Sequence, residues 1–517
     1  MTEDEPHPTR IARPGERGKH EGASWVAHRS PASTLVLMRT SLLTALGCGA
    51  LALPVIGAAC GGSSTDAPGA TEEAGVEVTM TPEAGAAPDG SSFIDAAGLP
   101  TAQGDPCRGV PLPADQHFTP AGMCANVVAS ALGAIRQITF APNGDLFGVT
   151  ANGAIKRFHD DDGDGFFQAS EISTWGDTGG NGNNVHIDVA GGFLYAGSPD
   201  GVKRWPFDPA AKTGGTGEDV VTGQPADGHT KHTVHVYDGY LYVHSGSAGN
   251  WVAPKSPDYD DQRSLIRRYP LATFKSGTPF PWLSGEVFTT GLRNANGFTR
   301  NAAGRMYAVV NGLDGVKYNS ADVHDDNPGE QVLELGMGKA YGYPYCFTAQ
   351  RVIGPSGLVP PGTQLQFNGV HDDVWCAANS LPPATFIQAH SAPLDITFFD
   401  DQPKGALPEK YRGGAFVALH GSWNRTSPTG YKVIWIPFDA SGKAPMPTST
   451  MTGTTFPYEI ILGGGDQTAP KDGAWSWTTP DYGDQPRFAG VAISPVDGAL
   501  YASSDSGGYI YRIGVAH

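Results

Sequence analysis

The chain repeats one pattern of hydrophobic and polar positions six times. Gly and Asp turn residues lead into a short apolar run that carries aromatic residues, and this run recurs at 144–149, 192–196, 238–243, 304–309, 413–418 and 497–502. Several of these runs follow a segment in which apolar and polar residues alternate, such as 135–140. Several precede a further apolar segment that contains arginine, such as 510–513. Short runs of this kind, bounded by turn residues, predict β-strands.

A repeating unit of strand, turn and strand is typical of β-propellers, in which each repeat is one blade. Six repeats over about 400 residues predict an all-β fold, a six-bladed β-propeller with long inter-blade loops. The early repeats lie about 50 residues apart, whereas about 110 residues separate the fourth from the fifth. Residues 311–385 fill that gap and predict a long loop excursion. Long loops on a rigid scaffold are segments in which function is often found.

Composition supports many short strands rather than long helices. The 517 residues include 70 Gly and 42 Pro, while 10% are aromatic and only 17% are charged. The formal net charge of -18 argues against nucleic acid as a partner and against a basic membrane-binding surface. It is consistent with an exported protein that binds a neutral substrate and cations.

Three segments precede the predicted propeller at 106–517. Residues 1–37 are polar and lack apolar periodicity, so we expect a disordered segment or an upstream extension. Residues 38–60 are predicted to be a signal peptide, and the small residues before Cys60 resemble a bacterial lipoprotein cleavage box. Lipidated Cys60 would be the only membrane anchor of a periplasmic or cell-envelope protein, and ordinary secretion is the alternative. Residues 61–105, rich in Ala, Gly, Pro, Glu and Ser, predict a flexible linker.

Four cysteines follow the linker. Cys107 and Cys124 lie 17 residues apart, and Cys346 and Cys376 lie 30 apart. An even number in an exported chain predicts two local disulfides. The chain has no CxxCH motif for covalent haem and no CxxC pair that indicates zinc.

The clearest metal signal is an acidic loop at 160–171. It matches the EF-hand calcium loop, with aspartates at positions 1, 3 and 5, Gly at 6, a main-chain carbonyl at 7 and Glu at 12. The flanking segments predict strands rather than helices, so we expect a structural calcium site; an acidic surface turn is the alternative. The expected ligands are Asp160, Asp162, Asp164, Phe166 and Glu171.

A polar loop at 289–298 holds Arg293 directly followed by Asn294. A permanently charged group with five donors, placed beside an amide, suits a planar anion with several oxygens. An arginine in an ordinary surface turn is the alternative from this stretch alone. The Asn-Gly-Leu-Asp-Gly loop at 311–315 follows the next strand, and its carbonyls with the Asp314 carboxylate could hold a second calcium ion.

Histidines cluster at the entry to the third repeat. His229 follows an Asp-Gly turn, where a side chain can reach a central cavity, so it is the candidate general base. His232 is the next candidate, and His235 is expected to be a hydrogen-bonded core residue. Ser422 has no G-x-S-x-G nucleophile elbow around it, which argues against a serine hydrolase.

The order of these motifs resembles that of the glucose/sorbosone dehydrogenases. The resemblance covers about residues 130–515 and rests on His229, 291–297, 311–314, 341–346, 390–393, 420–425, 430–433 and Arg487. The His-Gly-Ser-Trp-Asn-Arg run at 420–425 is typical of the sorbosone and pyranose dehydrogenase branch. The resemblance implies a six-bladed propeller that uses pyrroloquinoline quinone (PQQ) and calcium to oxidise a sugar, or a sugar-derived alcohol or aldehyde, by hydride transfer.

The resemblance also implies roles for individual residues. His229 corresponds to the catalytic base, and the carbonyls around Gly312 and Leu313, with Asp314, correspond to the calcium-binding loop. Ser247 stands where the glucose enzymes have an acidic residue, and His420 lies roughly where they have a quinone-binding lysine. The residues expected to bind PQQ are Arg293, Asn294, Asn296, His420, Arg425 and Arg487.

Two other functions stay open from the sequence. One is a non-enzymatic six-bladed propeller that binds a carbohydrate or a protein partner at the cell surface, and the other is a calcium-dependent lactonase. A dehydrogenase would pass its electrons to a quinone or a cytochrome, neither of which the sequence identifies.

Overall fold

Each of the six repeated runs forms the second strand of its own antiparallel sheet. In the computed structural model, residues 110–111, 119–180, 182–188, 190–230, 232–252, 262–400, 402–403, 405–450, 453–463 and 486–515 are described. Within them six sheets form the blades of a propeller, which confirms the predicted all-β, six-bladed fold. The predicted segments 1–37, 38–60 and 61–105, including Cys60, lie outside the described residues, as does Cys107.

Each blade is built on four antiparallel strands, and short edge strands extend three of the six sheets to five. The first strands of neighbouring blades pack against one another around a central channel. From inner to outer, the strands are Ile135–Phe140, Leu146–Thr150, Ala154–Phe158 and Ile172–Asp177 in blade 1; Val185–Asp188, Phe193–Ser198, Gly201–Pro206 and Glu218–Thr222 in blade 2; Val234–Tyr237, Tyr240–Ser245, Leu265–Pro270 and Glu286–Thr290 in blade 3; Gly297–Arg300, Met306–Val310, Glu330–Leu335 and Thr385–Ile387 in blade 4; Pro393–Phe398, Ala415–Leu419, Lys432–Ile436 and Glu459–Gly463 in blade 5; and Phe488–Ile493, Leu500–Ser504, Tyr509–Val515 and Met123–Ala129 in blade 6.

The ring is closed by pairing the two ends of the propeller. The outer strand of blade 6, Met123–Ala129, comes from the beginning of the propeller and pairs antiparallel with Tyr509–Val515 from its end. Val110–Pro111 adds a short fifth strand at the outer edge. The sequence pattern does not predict this closure, because the two strands meet only after every other blade is in place.

The core consists of apolar layers between blades. The second strands Met306–Val310 and Ala415–Leu419 are buried along their whole length, because each blade packs on both of its faces. Close packing also needs small residues, and a Cβ atom at Gly176 would lie 2.6 Å from Nε1 of the buried Trp205. His186 and His235 alternate with core valine and isoleucine residues on first strands, and their ring centroids lie 4.6 Å apart.

Strand direction alternates across each blade, so its loops alternate between two faces. The loops that enter the first strands, and those that join second to third strands, open on one face, which we call the upper face. It carries residues 228–230, 293–296, 311–314, 390–394 and 420–424. The loop at 160–171 joins the third and fourth strands of blade 1 and therefore opens on the other face.

The predicted excursion at 311–385 is two loops, because the blade 4 strand Glu330–Leu335 interrupts it. The second loop returns toward the upper face through Lys339–Ala340, which runs parallel to Glu286–Thr290. The predicted Cys346–Cys376 disulfide is present in this loop. Cys124 is also disulfide-bonded, and Cys107, its predicted partner, lies outside the described residues.

The remaining elements are short. One α-helix, Asp373–Asn379, follows an N-cap bond in which Asp372 accepts from the Trp375 backbone N–H. The 3-10 turns in the described residues are Ala169–Glu171, Leu271–Thr273, Trp282–Ser284, His324–Asp326 and Glu409–Tyr411. The remaining strands are Phe280–Pro281, Lys317–Tyr318, Ala321–Asp322, Cys346–Thr348, Ile353–Gly354, Gly357–Leu358, Gln364–Gln366, Thr448–Thr450 and Gly453–Thr455. Nowhere in the described chain is a helix long and apolar enough to cross a bilayer.

Candidate active site

A polar cavity of about 520 Å³ opens where the upper-face loops converge. Loops from blades 3, 4 and 5 form much of its wall, and Arg136 and Arg487 contribute from blades 1 and 6. The other lining residues that matter below are His229, Asn250, Arg293, Asn294, Asn296, Asn311, Gly312, Asp314, Glu330, His390, His420 and Asn424. Five of the loops singled out from the sequence, at 228–230, 293–296, 311–314, 390–394 and 420–424, therefore meet in one cavity.

His229 enters the cavity from the loop before the first strand of blade 3. Its backbone N–H donates to the Ser247 carbonyl at 2.9 Å, and its Nδ1 lies 2.8 Å from the Ser247 hydroxyl oxygen. Burial, together with the nearby Arg293 charge, lowers the pKa of His229 to about 4. The imidazole is therefore neutral near pH 7, as a general base must be. His232 does not line the cavity, since it is buried and its Nδ1 is bonded to the Ser198 carbonyl at 2.7 Å.

Arg293 is held in place by three residues. Its Nε and Nη2 donate to the carbonyl and side-chain oxygens of Asn250, each at 3.0 Å, and Nη1 donates to the Asn311 carbonyl at 3.3 Å. Nη2 also lies 3.3 Å from the Asp314 carboxylate. Burial lowers the pKa of Arg293, but a guanidinium stays charged. The alternative of a loose surface arginine is therefore wrong, because this side chain is buried and rigidly placed.

Four asparagines around the cavity carry unpaired polar atoms. The Oδ1 atoms of Asn294, Asn296, Asn311 and Asn424 are buried, and no described residue hydrogen-bonds them. An unpaired buried acceptor costs free energy that a ligand can recover. Because each amide offers an acceptor and two donors, this set can meet either a cation or a polar ligand.

The wall formed by blades 5, 6 and 1 contains a second basic cluster. Arg487 donates to Nδ1 of His420 at 2.9 Å, while Nε2 of His420 lies 2.8 Å from the Asp505 carboxylate. Asp505 also forms an ion pair with Arg136. Burial raises the pKa of Asp505, but His420 and Arg136 outweigh it and hold that pKa at about 2. His420 therefore orients Arg487 through one nitrogen and is anchored through the other.

The predicted second calcium loop lies beside Arg293. Gly312 lines the cavity, and its backbone N–H donates to Glu330 at 2.6 Å. The Leu313 side chain packs instead in an apolar cluster. Asp314 accepts from Nδ2 of Asn424 at 2.9 Å and lies 3.6 Å from Nδ1 of His390. The loop thus presents a carboxylate to the cavity next to unpaired amide oxygens.

Asp314, His324 and His390 form a group with metal-ligand spacing. His324 is a poor ligand, because its Nδ1 accepts from the Gly315 N–H at 2.9 Å and its Nε2 lies 3.2 Å from the Asn424 carbonyl. Oxygen atoms are therefore the better candidates here, and hard cations such as calcium prefer them.

Arg425 lies outside the cavity lining. Its Nε donates to the Asp325 carbonyl at 2.8 Å, and Nη2 lies 3.5 Å from the Asp326 carboxylate. It ties the 420–425 loop to the 3-10 turn His324–Asp326 instead of facing a ligand. We therefore correct its predicted role from binding a cofactor to holding a loop.

The acidic loop of blade 1 lies on the face opposite the cavity. The carboxylates of Asp160, Asp162 and Asp164 lie within 4.8 Å of one another. Asp160 accepts from the backbone N–H groups of Gly163 and Gly165 at 2.8 and 2.9 Å.

The two oxygens of Glu171 accept from the backbone N–H groups of Asp161 and Gln168 at 2.7 and 2.8 Å. The Phe166 N–H donates to Asp164 at 2.8 Å. The five predicted ligands thus share one tight turn.

Sequence reasoning missed the residues that support the predicted ones. Asn250 holds Arg293, Arg136 and Asp505 complete the second basic cluster, and Glu330 braces Gly312. These residues stand alone in ordinary contexts along the chain, so no local motif identifies them.

Fold and cavity together define a class of protein: a six-bladed propeller with a polar, arginine-bearing ligand cavity on one face. The TrAA12-like family model matches residues 118–516, and the chain belongs to that family.

Two relatives of the chain come from fungi. The chain is 30% identical over 430 residues to a PQQ-dependent pyranose dehydrogenase of Coprinopsis cinerea, covering 79% of this chain and 56% of that protein. It therefore spans about half the length of that relative. It is 27% identical over 406 residues to a PQQ-dependent sugar dehydrogenase of Hypocrea jecorina, covering 74% of this chain and 86% of that protein.

Solved structures agree with this placement. The holo PQQ domain of the Coprinopsis cinerea pyranose dehydrogenase has a TM-score of 0.66 and 27% identity, covering 79% of this chain and 99% of that domain. The calcium structure of the Trichoderma reesei enzyme of family AA12 has a TM-score of 0.64 and 25% identity, covering 78% and 98%.

Proposed function

We propose that this protein is a PQQ- and calcium-dependent dehydrogenase that oxidises a sugar, or a sugar-derived alcohol or aldehyde, in the upper-face cavity. The observation that carries the proposal is the arrangement of charge across that cavity. Arg293 enters from blade 4 and Arg136 from blade 1, which are opposite positions in a six-membered ring. Arg487 lies beside Arg136 and shares its partner Asp505 through His420.

The residues fit PQQ in charge and in hydrogen bonding. PQQ has three carboxylates and an ortho-quinone, so it needs cationic donors at separate points around a planar ring system. Arg293 and Arg487 supply two such points, and Arg136 lies beside the second. The amide groups of Asn294 and Asn296, whose buried oxygens no described residue hydrogen-bonds, add polar side chains to this part of the cavity. His420 would act through Arg487, because both of its nitrogens already have protein partners.

A calcium ion fits beside Arg293. Asp314 brings a carboxylate, and the buried side-chain oxygens of Asn311 and Asn424 have no partner in the described part of the chain. With the main-chain carbonyls of the loop at Gly312 and Leu313, these would be the hard oxygen ligands that calcium prefers. A cation here would offset the anionic cofactor and polarise its quinone oxygen.

His229 would perform the proton transfer. Its neutral imidazole can take the proton of the substrate hydroxyl while the hydrogen on the same carbon leaves as hydride. When bound, PQQ supplies the quinone that accepts that hydride. Arg293 would hold the cofactor carboxylate and stabilise the charge that develops during reduction.

Reconstitution tests the proposal directly. Purified protein is mixed with PQQ, calcium or both, and reduction of a dye is followed with pyranoses, aldoses and sorbosone as substrates. We expect turnover only when both PQQ and calcium are present. Dye reduction with NAD or without any cofactor would refute the proposal. Tight sugar binding without turnover would instead identify a non-enzymatic propeller, and hydrolysis of a lactone would identify a lactonase.

Export and electron transfer belong to the same proposal. The N-terminal pattern supports a signal peptide and, with Cys60, a lipid anchor. A dehydrogenase in that location would pass its electrons to a quinone or a cytochrome. Mass spectrometry of the N-terminus of the mature protein would identify a lipidated Cys60 or a simple cleavage product.

A further inference from the structure

Ser247 lies at a junction between the predicted base and the predicted cofactor arginine. It is fully buried, its backbone carbonyl accepts from the His229 N–H at 2.9 Å, and its backbone N–H donates to the Arg293 carbonyl at 2.8 Å. Its hydroxyl oxygen lies 2.8 Å from Nδ1 of His229 and 2.7 Å from the Gly249 carbonyl oxygen. The backbone of Ser247 therefore holds both His229 and Arg293, and its side chain contacts the His229 ring.

One placement of the protons satisfies both hydrogen bonds of the Ser247 hydroxyl. The Gly249 carbonyl can only accept, so the single hydroxyl proton of Ser247 is donated there. Nδ1 of His229 must then be the donor to the Ser247 oxygen. In a neutral imidazole a proton on Nδ1 leaves a lone pair on Nε2. Among the described residues, none hydrogen-bonds Nε2 of His229.

We propose that Ser247 is a positioning residue that fixes His229 in the Nδ1–H tautomer, so that the lone pair of Nε2 is available to a substrate hydroxyl in the cavity. This inference rests on the proposed function, in which His229 is the base. In this proton transfer the substrate O–H bond breaks, and its proton forms a bond with the lone pair of Nε2.

Two glycines make this junction possible. Gly228 has φ +71, and a Cβ atom there would lie 2.5 Å from the Ala248 backbone. A Cβ atom at Gly246 would lie 2.6 Å from the Cβ and carbonyl oxygen of His229. The two loops therefore pack backbone against backbone, which leaves little freedom for the imidazole to turn.

A serine at position 247 affects the pKa of His229 differently from a carboxylate. A carboxylate beside Nδ1 would stabilise the imidazolium by charge and raise the pKa of His229. The neutral hydroxyl orients the ring without that effect, and burial with the Arg293 charge keeps the pKa low. The base then stays unprotonated, and ready to accept a proton, at mildly acid pH.

The tautomer can be read without activity. Full-length protein is labelled with ¹⁵N-histidine, and the ring nitrogens of His229 are assigned by their loss in His229→Gln. We expect a protonated Nδ1 and an unprotonated Nε2 at pH 7 in the parent protein. Ser247→Ala should shift the equilibrium toward the Nε2–H form, whereas Ser247→Thr, which keeps the hydroxyl, should retain the parent signals. Ser264→Ala is the matched control, because Ser264 is also buried and its hydroxyl has no hydrogen-bond partner in the described chain.

Kinetics with PQQ and calcium provide the second readout. Ser247→Ala should lose about tenfold in kcat with little change in KM, since one neutral hydrogen bond is worth roughly that factor. Ser247→Thr should recover most of the rate. PQQ affinity should be unchanged in both variants.

The two proposals can fail separately. A protonated Nε2 in the parent protein, or an unchanged tautomer in Ser247→Ala, overturns the role of Ser247 even in an active dehydrogenase. Correct tautomer shifts in a protein that never reduces dye would leave Ser247 as the residue that orients His229 and overturn the proposed function instead.

Discussion

The Arg293 guanidinium lies 3.3 Å from the Asp314 carboxylate, and this contact joins the loop predicted to bind an anion to the loop predicted to bind a cation. Asp314 also accepts from Asn424 and lies beside His390. The two predicted sites are therefore parts of one site. Arg293 would bind a cofactor carboxylate, and Asp314, its ion-pair partner, would bind calcium. Because the two side chains contact each other, binding of the cofactor and binding of calcium should be coupled.

Loss of Arg293 should weaken cofactor binding. Arg293→Ala removes a buried cation with fixed donors, and we expect weaker PQQ binding together with about a 100- to 1,000-fold lower kcat, as for other donors that stabilise developing charge. Calorimetry with PQQ at constant calcium measures the first effect. Arg300→Ala is the control, because Arg300 pairs with Asp238 away from the cavity. Parent-like PQQ affinity in Arg293→Ala would contradict the assignment.

Loss of His229 should affect chemistry and leave cofactor binding intact. His229→Gln removes the proton acceptor, so we expect bound PQQ with about a 100- to 10,000-fold lower turnover. A substrate deuterated at the oxidised carbon should show a primary isotope effect where hydride transfer limits the rate. Normal turnover in this variant would show that another group is the base.

The activity of the parent protein should depend on pH through His229. Burial, with the Arg293 charge, lowers the pKa of this imidazole to about 4, and only the neutral form can accept a proton. We therefore expect kcat/KM to be level near neutral pH and to fall as pH decreases through about 4. An acid limb near the ordinary histidine value would argue that His229 is not the titrating group.

The acidic loop should stabilise the propeller when calcium is present. The loop is tied to the closing strand, because the Phe167 N–H donates to the Val128 carbonyl at 2.8 Å. At a calcium concentration 100 times the dissociation constant, binding contributes about 2.7 kcal/mol, or a few degrees in Tm for a domain of this size. The comparison is made in an Asp314→Asn background, which removes the proposed cavity site, and there Asp162→Ala should lose this increment and melt as in chelator. Asp439→Ala, in an exposed turn, is the control. A calcium-dependent Tm of parent size in the Asp162→Ala, Asp314→Asn protein, which lacks ligands of both proposed calcium sites, would exclude this loop.

His186 should make the stability of the protein depend on pH. Burial lowers its pKa to about 4, whereas in the unfolded chain it is about 6.5. Between these values the unfolded state binds a proton that the folded state does not, so stability falls as pH decreases from about 6.5 to about 4. The urea midpoint should fall less in His186→Gln than in the parent between pH 7 and pH 5. Equal changes in both proteins would contradict this pKa.

Local pattern was sufficient for the blades and for the motifs. A strand and its turn are specified by a few adjacent residues, an apolar run bounded by Gly and Asp. The second strand of each blade, such as Met306–Val310, could therefore be predicted directly from the sequence. The same holds for the acidic loop at 160–171 and for Arg293-Asn294, whose chemistry lies in adjacent residues. The single excursion predicted at 311–385 was less accurate, because strand Glu330–Leu335 lies within it.

What the sequence by itself determined was the fold class, the number of blades and the polar loops that line the upper-face cavity, because each depends on neighbouring residues. Only the tertiary structure decided which side chains support those loops. Arg136 and Asp505 pair across 369 positions of sequence and meet only when Met123–Ala129 closes the ring. Ser247 reaches His229 because two loops of blade 3 pack together, and Asn250 reaches Arg293 because blades 3 and 4 lie side by side. Contacts between blades depend on closure of the whole ring, and no local pattern of residues encodes them.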